Sequence, residues 1–247
     1  MKNIVFTCLD CEMTGLDIEN DRIIEIAAVK FTLERELNSF ETLVNPGKAI
    51  SLESKKIHHI SDEMLEGKPL IKDILPKLSE FIGKDPIIVG HSVSCDLDML
   101  MQEGKRVDQP FTTNNYTIID TLRLAKDYGN SPNNSLESLS LHFNVPLFGS
   151  HRAMNDVRAN IGVFKHLIKR YKNLNHILEV LSKPIRIKQM PLGKHKGRAF
   201  SEIPLSYLQW AKKMDFDEDL LFSIRQELKN RQKGTSFTQS GNPFFDL

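Results

Sequence analysis

Hydrophobic and polar residues along this chain first follow the spacing of β-strands and then that of helices. Three β-rich stretches, at residues 4–12, 22–32 and 39–45, are joined by short connections and predict an antiparallel meander. Two short buried strands, at 87–89 and 117–119, then alternate with helices, which favours parallel additions to the same sheet. The predicted helices of this part lie at 51–57, 61–65, 71–82, 96–104, from Asp120, from Ser135 and at 155–171.

The organisation of the chain changes between Tyr171 and Pro184, where we predict a domain boundary. Residues 183–247 carry 12 Lys and Arg against 7 Asp and Glu, a net charge of +5, whereas the whole chain has +1. A basic end beside an acidic body is compatible with nucleic-acid binding. The predicted parts are a domain at 1–175, a linker at 176–189, a small basic helical domain at 190–232 and a disordered tail at 233–247.

The composition is that of a soluble globular protein, with 40% hydrophobic and 26% charged residues. The chain has no long apolar run and no secretion signal at its N-terminus, so we expect a cytoplasmic protein without membrane contact. Three cysteines, Cys8, Cys11 and Cys95, favour reduced thiols over a disulfide framework. Cys8 and Cys11 would face opposite sides of a strand, which argues against a zinc site there.

Two carboxylates end the first strand. Asp10 and Glu12 are two residues apart, so they project from the same face of the strand. Carboxylates that close repel each other, and raised pKa values or a bound cation relieve the repulsion. We favour a cation; the alternative is that both side chains merely solvate the end of the strand.

Two further acids stand at predicted helix starts. Asp96 opens the helix after the buried strand at 87–89, and Asp156 lies in the first turn of the helix at 155–171; each could instead be an N-cap. His151 is expected in the loop before that second helix, where Gly149 permits bending. Asp120 follows a strand and precedes a helix, so we predict that it caps the helix.

These residues fall into three ordered motifs. They read Asp10-x-Glu12-x-Thr14-Gly15, Gly90-His91-x-x-x-x-Asp96 and His151-Arg152-Ala153-x-x-Asp156. In this order and at these separations they resemble the exonuclease motifs of the DEDDh family, which includes the epsilon proofreading subunit of bacterial DNA polymerase III. The resemblance covers residues 1–172 and implies an α/β, ribonuclease-H-like fold, with a mixed five-stranded sheet flanked by helices. It also implies hydrolysis of nucleic acid from the 3′ end to 5′-mononucleotides.

The resemblance assigns roles to the motif residues. Asp10, Glu12, Asp96 and Asp156 would hold two divalent ions, with Asp10 bridging them, and hard oxygen ligands select Mg²⁺ or Mn²⁺ over zinc. His151 would take a proton from the attacking water, which suits an imidazole with a pKa of about 6.5. His91 is expected to support its motif by hydrogen bonding.

Substrate contacts are implied by the same resemblance. Met13, Thr14, Gly15 and Leu16 would line the pocket for the terminal nucleotide, with Leu16 wedged against its base. Glu53 and His58 match residues that contact this nucleotide, and the alternative for them is a solvated short helix. The chain departs from the family pattern at Met13, Ser92 and Cys95, where Thr, Asn and an aromatic residue are usual. These departures leave the sugar preference of the pocket open.

The C-terminal region supplies two further hypotheses. Residues 190–231 are similar to a small family named for a quorum-sensing-regulated virulence factor, a name that explains no mechanism. Lys194, Lys196 and Arg198 beside Tyr207 and Trp210 could clamp phosphates and stack on bases; the alternative is a packed aromatic core with solvated lysines. Residues 242–247, NPFFDL, could be a peptide ligand for a replication partner such as a sliding clamp.

The sequence therefore predicts a Mg²⁺-dependent 3′→5′ exonuclease that acts on single-stranded or frayed 3′ ends of DNA, in proofreading or repair. One alternative is an RNA-trimming or oligoribonucleotide-degrading exoribonuclease of the same superfamily. Another is a non-catalytic nucleic-acid-binding scaffold, against which the retention of four acids and His151 argues. The C-terminal region does not resemble the polymerase-binding tail of the epsilon subunit, so both stand-alone action and a polymerase contact stay open.

Overall fold

A computed structural model describes residues 1–130, 133–147, 149 and 151–239 of the chain, with side chains as far as residue 232. The chain forms two compact units. Unit 1 comprises residues 1–125 and 130–178, and unit 2 comprises residues 126–129 and the chain from residue 179 onward. In the described ranges no helix is both long enough and apolar enough to cross a membrane.

Unit 1 is built on a five-stranded sheet in the order β3-β2-β1-β4-β5. The strands are β1 (Phe6–Met13), β2 (Ile23–Phe31), β3 (Glu36–Leu43), β4 (Ile87–Gly90) and β5 (Thr117–Asp120). β1 pairs antiparallel with β2, as β2 does with β3, whereas β4 pairs parallel with β1 and with β5. The predicted meander with parallel additions, and the ribonuclease-H-like mixed sheet flanked by helices, are confirmed.

The helices before residue 182 lie close to their predicted positions, with one omission. They are α1 (Leu52–His58), α2 (Asp62–Leu65), α3 (Ile71–Ile82), α4 (Ser94–Arg106), α5 (Thr121–Tyr128), α6 (Leu136–Phe143), α7 (Ala153–Leu167) and α8 (Leu174–Leu181). Helix α8 was not predicted, because a domain boundary was expected at this stretch. Its apolar residues Leu174, Ile177, Leu178 and Leu181 recur at helical spacing, which was the available signal.

Strand β1 is covered on both faces. On one face Phe6 packs against Phe31 of β2 and Phe164 of α7, with ring centroids 5.2 to 5.9 Å apart among the three rings. On the other face Leu9 and Cys11 belong to a core that also includes residues of α3 and α4. Even-numbered residues of β1 therefore face α7, which places Asp10 and Glu12 on that side.

Unit 2 is a small helical body. After the 3₁₀ turns at Gly193–His195 and Phe200–Glu202 come α9 (Leu205–Ala211) and α10 (Glu218–Gln239). Its apolar core consists of Ile187, Met190, Phe200, Ile203, Leu208, Ala211, Leu220 and Ile224. The predicted tail at 233–247 overlaps α10 as far as Gln239, and the predicted clamp-binding peptide at 242–247 lies outside the described residues.

The three-ring cluster of unit 1 gives a stability prediction. We expect Phe164→Ala to lower the free energy of unfolding by about 3–5 kcal/mol, because Phe164 is fully buried between two other rings and its loss leaves a cavity. Denaturant unfolding followed by circular dichroism measures this change. Leu141→Ala on α6 is the control, since Leu141 is 67% exposed and its truncation should change stability by less than about 0.5 kcal/mol. Equal effects of the two substitutions would contradict the packing argument.

Candidate active site

Three acids from two elements meet beside the central strand. Asp10 and Glu12 project from β1, and Asp156 lies in the first turn of α7. One carboxylate oxygen from each of the three lies within 4.8 Å of the others, and all three residues are half-buried. Carboxylate oxygens at this separation are hard donors of the kind that divalent cations prefer. The set therefore fits a divalent metal ion.

Asp96 stands next to this group rather than within it. It lies in the first turn of α4 and is 8% exposed, and its Oδ1 accepts a hydrogen bond from the backbone N–H of Cys11 at 3.0 Å. Among the charged neighbours of Asp10, Asp96 contributes most to raising the pKa of Asp10. The N-cap alternative is wrong for Asp96 and for Asp156, because the N-cap positions of α4 and α7 belong to Val93 and Arg152.

The four acids all have raised pKa values. Burial, and then the charges of Asp96, Glu12 and Asp156, raise the pKa of Asp10 well above its usual value. Burial and the charges of Asp156 and Glu25 raise the pKa of Glu12 to about 8. Burial raises the pKa of Asp96 to about 7. A bound divalent cation would favour the ionised forms of the same groups.

The backbone of His151 is hydrogen-bonded to one of these acids. His151 is exposed, precedes α7 as predicted, and has a φ of 63°, a left-handed conformation that residues other than glycine rarely adopt. The His151 N–H donates to Asp156 Oδ2 at 2.9 Å. A charged His151 imidazole also lowers the pKa of Asp156, although burial, the larger effect, raises it. His151 and Asp156 are therefore coupled through both backbone and charge.

An ion pair between the buried Glu25 and the partly exposed Arg152, which was not predicted from the sequence, fixes the start of α7. Glu25 of β2 is 1% exposed, and it accepts hydrogen bonds from Arg152 Nη2 at 2.7 Å, Arg152 Nε at 3.1 Å and the Ala153 N–H at 2.9 Å. Glu25 lies opposite Glu12 in the β1–β2 register. The available signal was the one acidic residue within a mostly apolar strand. This pair anchors the residue that follows His151.

The predicted capping role of Asp120 is confirmed, whereas His91 forms a hydrogen bond outside its own motif. His91 Nδ1 lies 3.1 Å from Thr121 Oγ1, so it supports the start of α5 by hydrogen bonding. Asp120 Oδ1 accepts from the Leu122 N–H at 2.8 Å, which caps α5, and from the Ser92 N–H at 3.0 Å. Ser92 has a φ of 65°. Asparagine tolerates that conformation well, which explains its usual presence at this position in the family pattern.

The loop after β1 is held by hydrogen bonds between its own residues and by hydrogen bonds from α4. Thr14 Oγ1 donates to Asp21 Oδ1 at 2.7 Å, and a side chain on Gly15 would overlap the Asp21 carboxylate. Arg106 of α4, which the sequence analysis missed, donates to the Glu19 carbonyl oxygen at 2.9 Å and to the Ile18 carbonyl oxygen. At its tip Leu16 is 81% exposed. The Met13 side chain, by contrast, belongs to the core.

The two α1 residues with predicted substrate contacts differ in exposure. Glu53 is exposed, whereas His58 is 2% exposed, and its Nδ1 accepts from the Ile60 N–H at 3.0 Å. The buried His58 Nε2 has no hydrogen-bond partner within the described part of the chain. Burial lowers the pKa of His58; the charge of Glu25 raises this pKa and the charge of Arg152 lowers it. Substrate contact by Glu53 and His58 stays a prediction.

The aromatic residues of unit 2 are partly packed and partly exposed. The His195 and Tyr207 rings lie edge-to-face at 4.5 Å, and Trp210 lies 5.2 Å from Tyr207. Trp210 is 49% exposed, whereas Tyr207 packs against the core of unit 2. The hypothesis of a phosphate clamp at these rings stays a prediction.

Comparison with family models identifies a family for each part of the chain. A model described as Exonuclease matches residues 7–164. A second model, named for a quorum-sensing-regulated virulence factor, matches residues 178–225. Both resemblances predicted from the sequence are confirmed. The Exonuclease family uses divalent metal ions, and the acidic group of unit 1 fits them.

Curated relatives come from DNA replication. The DNA polymerase III subunit epsilon of Treponema pallidum is 33% identical over 178 residues, which cover 70% of this chain and 81% of the relative. A PolC-type DNA polymerase III of Caldanaerobacter subterraneus subsp. tengcongensis is 34% identical over 194 residues, 76% of this chain. This match spans 14% of the PolC-type relative's length.

Solved structures share the fold at low identity. Exonuclease X in complex with 5′ overhanging duplex DNA has a TM-score of 0.57 and 22% identity, over 71% of this chain and 98% of that chain. The zinc-bound complex of E. coli ExoI with single-stranded DNA has a TM-score of 0.63 and 18% identity, over 72% of this chain and 42% of that chain. These matches establish the common fold of unit 1.

The raised carboxyl pKa values predict how pH and metal ions act on stability. In the metal-free fold these groups keep protons that the unfolded chain releases above pH about 4.5, so stability falls as pH rises from there to about 8. A divalent cation favours the ionised forms. We therefore expect Mg²⁺ or Mn²⁺ to raise the melting temperature more at pH 8 than at pH 6, relative to chelator. Glu12→Gln should reduce this difference, and equal metal effects at both pH values would contradict the analysis.

The Glu25–Arg152 pair predicts a second stability effect. Glu25→Gln should lower the free energy of unfolding by about 2 kcal/mol, because the neutral amide loses the charge-assisted hydrogen bonds that the buried Glu25 carboxylate accepts from Arg152 and from the Ala153 N–H. Denaturant unfolding measures the change. The matched control is Glu36→Gln on β3, whose pair with Arg158 spans 3.8 Å between half-exposed side chains and should contribute less than about 0.5 kcal/mol. A Glu25→Gln protein as stable as this control would show that the pair does not anchor α7.

Proposed function

This chain belongs to the Exonuclease family, whose model matches residues 7–164, and we propose that it hydrolyses DNA from the 3′ end to release 5′-mononucleotides in proofreading or repair. The convergence of Asp10, Glu12 and Asp156, with His151 at the start of α7, carries this proposal. The kinship with a polymerase III epsilon subunit supports DNA as the substrate. The site residues retained at all five motif positions favour an enzyme over a non-catalytic scaffold.

We propose that Asp10, Glu12, Asp96 and Asp156 hold two Mg²⁺ or Mn²⁺ ions. The family resemblance assigns the bridging position to Asp10. When bound, such ions stabilise the attacking and leaving oxygens of a phosphoryl displacement. The oxygen-only donor set favours these hard cations over zinc.

His151 is the proposed general base for the attacking water. Its imidazole is exposed and stands before Asp156, to whose carboxylate its backbone is hydrogen-bonded. An imidazole nitrogen would accept the water proton, since the unperturbed imidazole pKa of about 6.5 suits proton transfer near neutral pH. Asp156 and the Glu25–Arg152 pair would keep the base in place while substrate enters.

The terminal nucleotide is proposed to lie between the loop after β1 and helix α1. Leu16, exposed at the loop tip, is the wedge against the base, and Thr14 and Gly15 would contribute their backbone. The unpartnered His58 Nε2 can form a hydrogen bond with this nucleotide, and Glu53 would reach it from the exposed side of α1. Polymerase association and a sliding-clamp contact through residues 242–247 stay predictions beside stand-alone action.

Digestion of end-labelled substrates tests the proposal. With Mg²⁺ or Mn²⁺ we expect stepwise shortening of single-stranded and mismatched DNA from the 3′ end, with 5′-mononucleotides as products and no reaction in chelator. Asp156→Ala and His151→Ala should each lower turnover by about 10²-fold or more while circular dichroism stays unchanged. Asp73→Ala, an exposed acid in the first turn of α3, and His142→Ala, an exposed histidine on α6, are the matched controls.

Two outcomes would count against the proposal. Turnover near wild type in both Asp156→Ala and His151→Ala would remove these residues from the reaction. Faster digestion of RNA than of DNA under the same conditions would favour the exoribonuclease alternative.

A further inference from the structure

Helices α9 and α10 of unit 2 border a groove of about 750 Å³ that the proposed reaction does not use. Its lining residues follow from helical spacing. Arg225, Leu228 and Lys229 lie three and four residues apart, on one face of α10, and Lys212 and Lys213 follow the end of α9. Two helix faces therefore present their side chains to one shared space.

The groove is strongly basic. Lys212, Lys213, Arg225 and Lys229 are exposed, and none of the four forms an ion pair within the described residues. Arg231, the fifth cation, pairs with Glu227 at 2.8 Å. No carboxylate is among the groove's described lining residues. Cations held together without counter-charges create a positive potential that attracts a polyanion.

The floor of the groove is apolar. Leu205 of α9 is 47% exposed there, and Leu228 of α10 packs against the core of unit 2. A small inorganic anion would leave this floor uncovered. A single strand of nucleic acid matches both features, since its phosphates pair with the cations while its sugars and base faces cover apolar surface.

We propose that the α9–α10 groove binds the phosphodiester backbone of the single-stranded DNA that unit 1 degrades. The choice of DNA as the polyanion rests on the proposed function of unit 1. The groove is a separate site from the Lys194, Lys196 and Arg198 clamp predicted from the sequence, because none of these three residues lines it.

A charge-neutralised groove tests the proposal in the full chain. The variant carries Lys212→Gln, Lys213→Gln, Arg225→Gln and Lys229→Gln. Binding of labelled oligothymidylate, measured by fluorescence anisotropy in chelator, should weaken, and its salt dependence should flatten. Affinity falls by some factor when salt rises from 50 to 200 mM. Because the variant lacks four phosphate contacts, this factor should be about 50-fold smaller in the variant than in wild type.

The matched control neutralises four other cations of unit 2. Lys183→Gln, Lys194→Gln, Lys196→Gln and Arg198→Gln give the same change in net charge on residues that do not line the groove. This control should keep the wild-type salt dependence. An equal loss of binding in both variants would overturn the proposal in favour of general electrostatic attraction, and a loss in the control alone would favour the sequence-predicted clamp.

A second assay separates this proposal from the function of unit 1. Hydrolysis of the p-nitrophenyl ester of thymidine 5′-monophosphate, which is too small to occupy a second site, should be unchanged in the groove variant. If wild type hydrolyses neither this ester nor DNA, the proposed function fails while the binding assay still tests the groove.

If the groove variant loses binding to polyglutamate but keeps binding to oligothymidylate, the groove serves an acidic protein and the proposal is wrong. An oligouridylate arm distinguishes RNA from DNA, and tighter RNA binding through the groove would overturn the choice of DNA.

Discussion

Mutual repulsion among carboxylates at one end of β1 is the interaction around which unit 1 is arranged. Asp10, Glu12, Asp96 and Asp156 could relieve it by moving apart, but their supports prevent this. β1 is hydrogen-bonded to strands on both sides and packed on both faces, and Asp96 is tied to the Cys11 N–H. The acids must therefore keep protons or hold cations. A bound cation would release the protons, so the same rigidity that holds the carboxylates together also suits them to a metal ion.

A fifth carboxylate, that of Glu25, is neutralised by a side chain of the protein itself. Glu25 lies opposite Glu12 in the sheet, yet Arg152 and the Ala153 N–H satisfy it within the fold. Because Arg152 is the N-cap residue of α7, this pair joins β2 to the helix that carries Asp156. His151 precedes Arg152 directly and donates its own N–H to Asp156, so its backbone is held by the Glu25–Arg152 pair on one side and by the Asp156 carboxylate on the other.

Local features of this site could be predicted from the sequence, whereas its long-range partners could not. Asp10 and Glu12 were found because strand geometry alone puts them on one face, and the order of the three motifs identified Asp96, His151 and Asp156. Glu25 and Arg152 are 127 residues apart, and Asp96 and Cys11 are 85 apart. The local sequence around one member of each pair does not indicate the other member. The α8 helix was missed for another reason, because a boundary was expected where its apolar repeat begins.

Unit 2 shows why net charge does not locate a binding surface. Its acids take structural roles: Asp219 pairs with Lys126 and accepts from the Ile185 N–H, and Glu227 pairs with Arg231. These contacts engage Asp219 and Glu227, whereas Lys212, Lys213, Arg225 and Lys229 form no ion pair within the described residues. The excess of basic residues was evident from the sequence. Only the packing of the two helices decides which cations share a groove, and a groove, unlike a scattered surface charge, can hold one strand in a defined position.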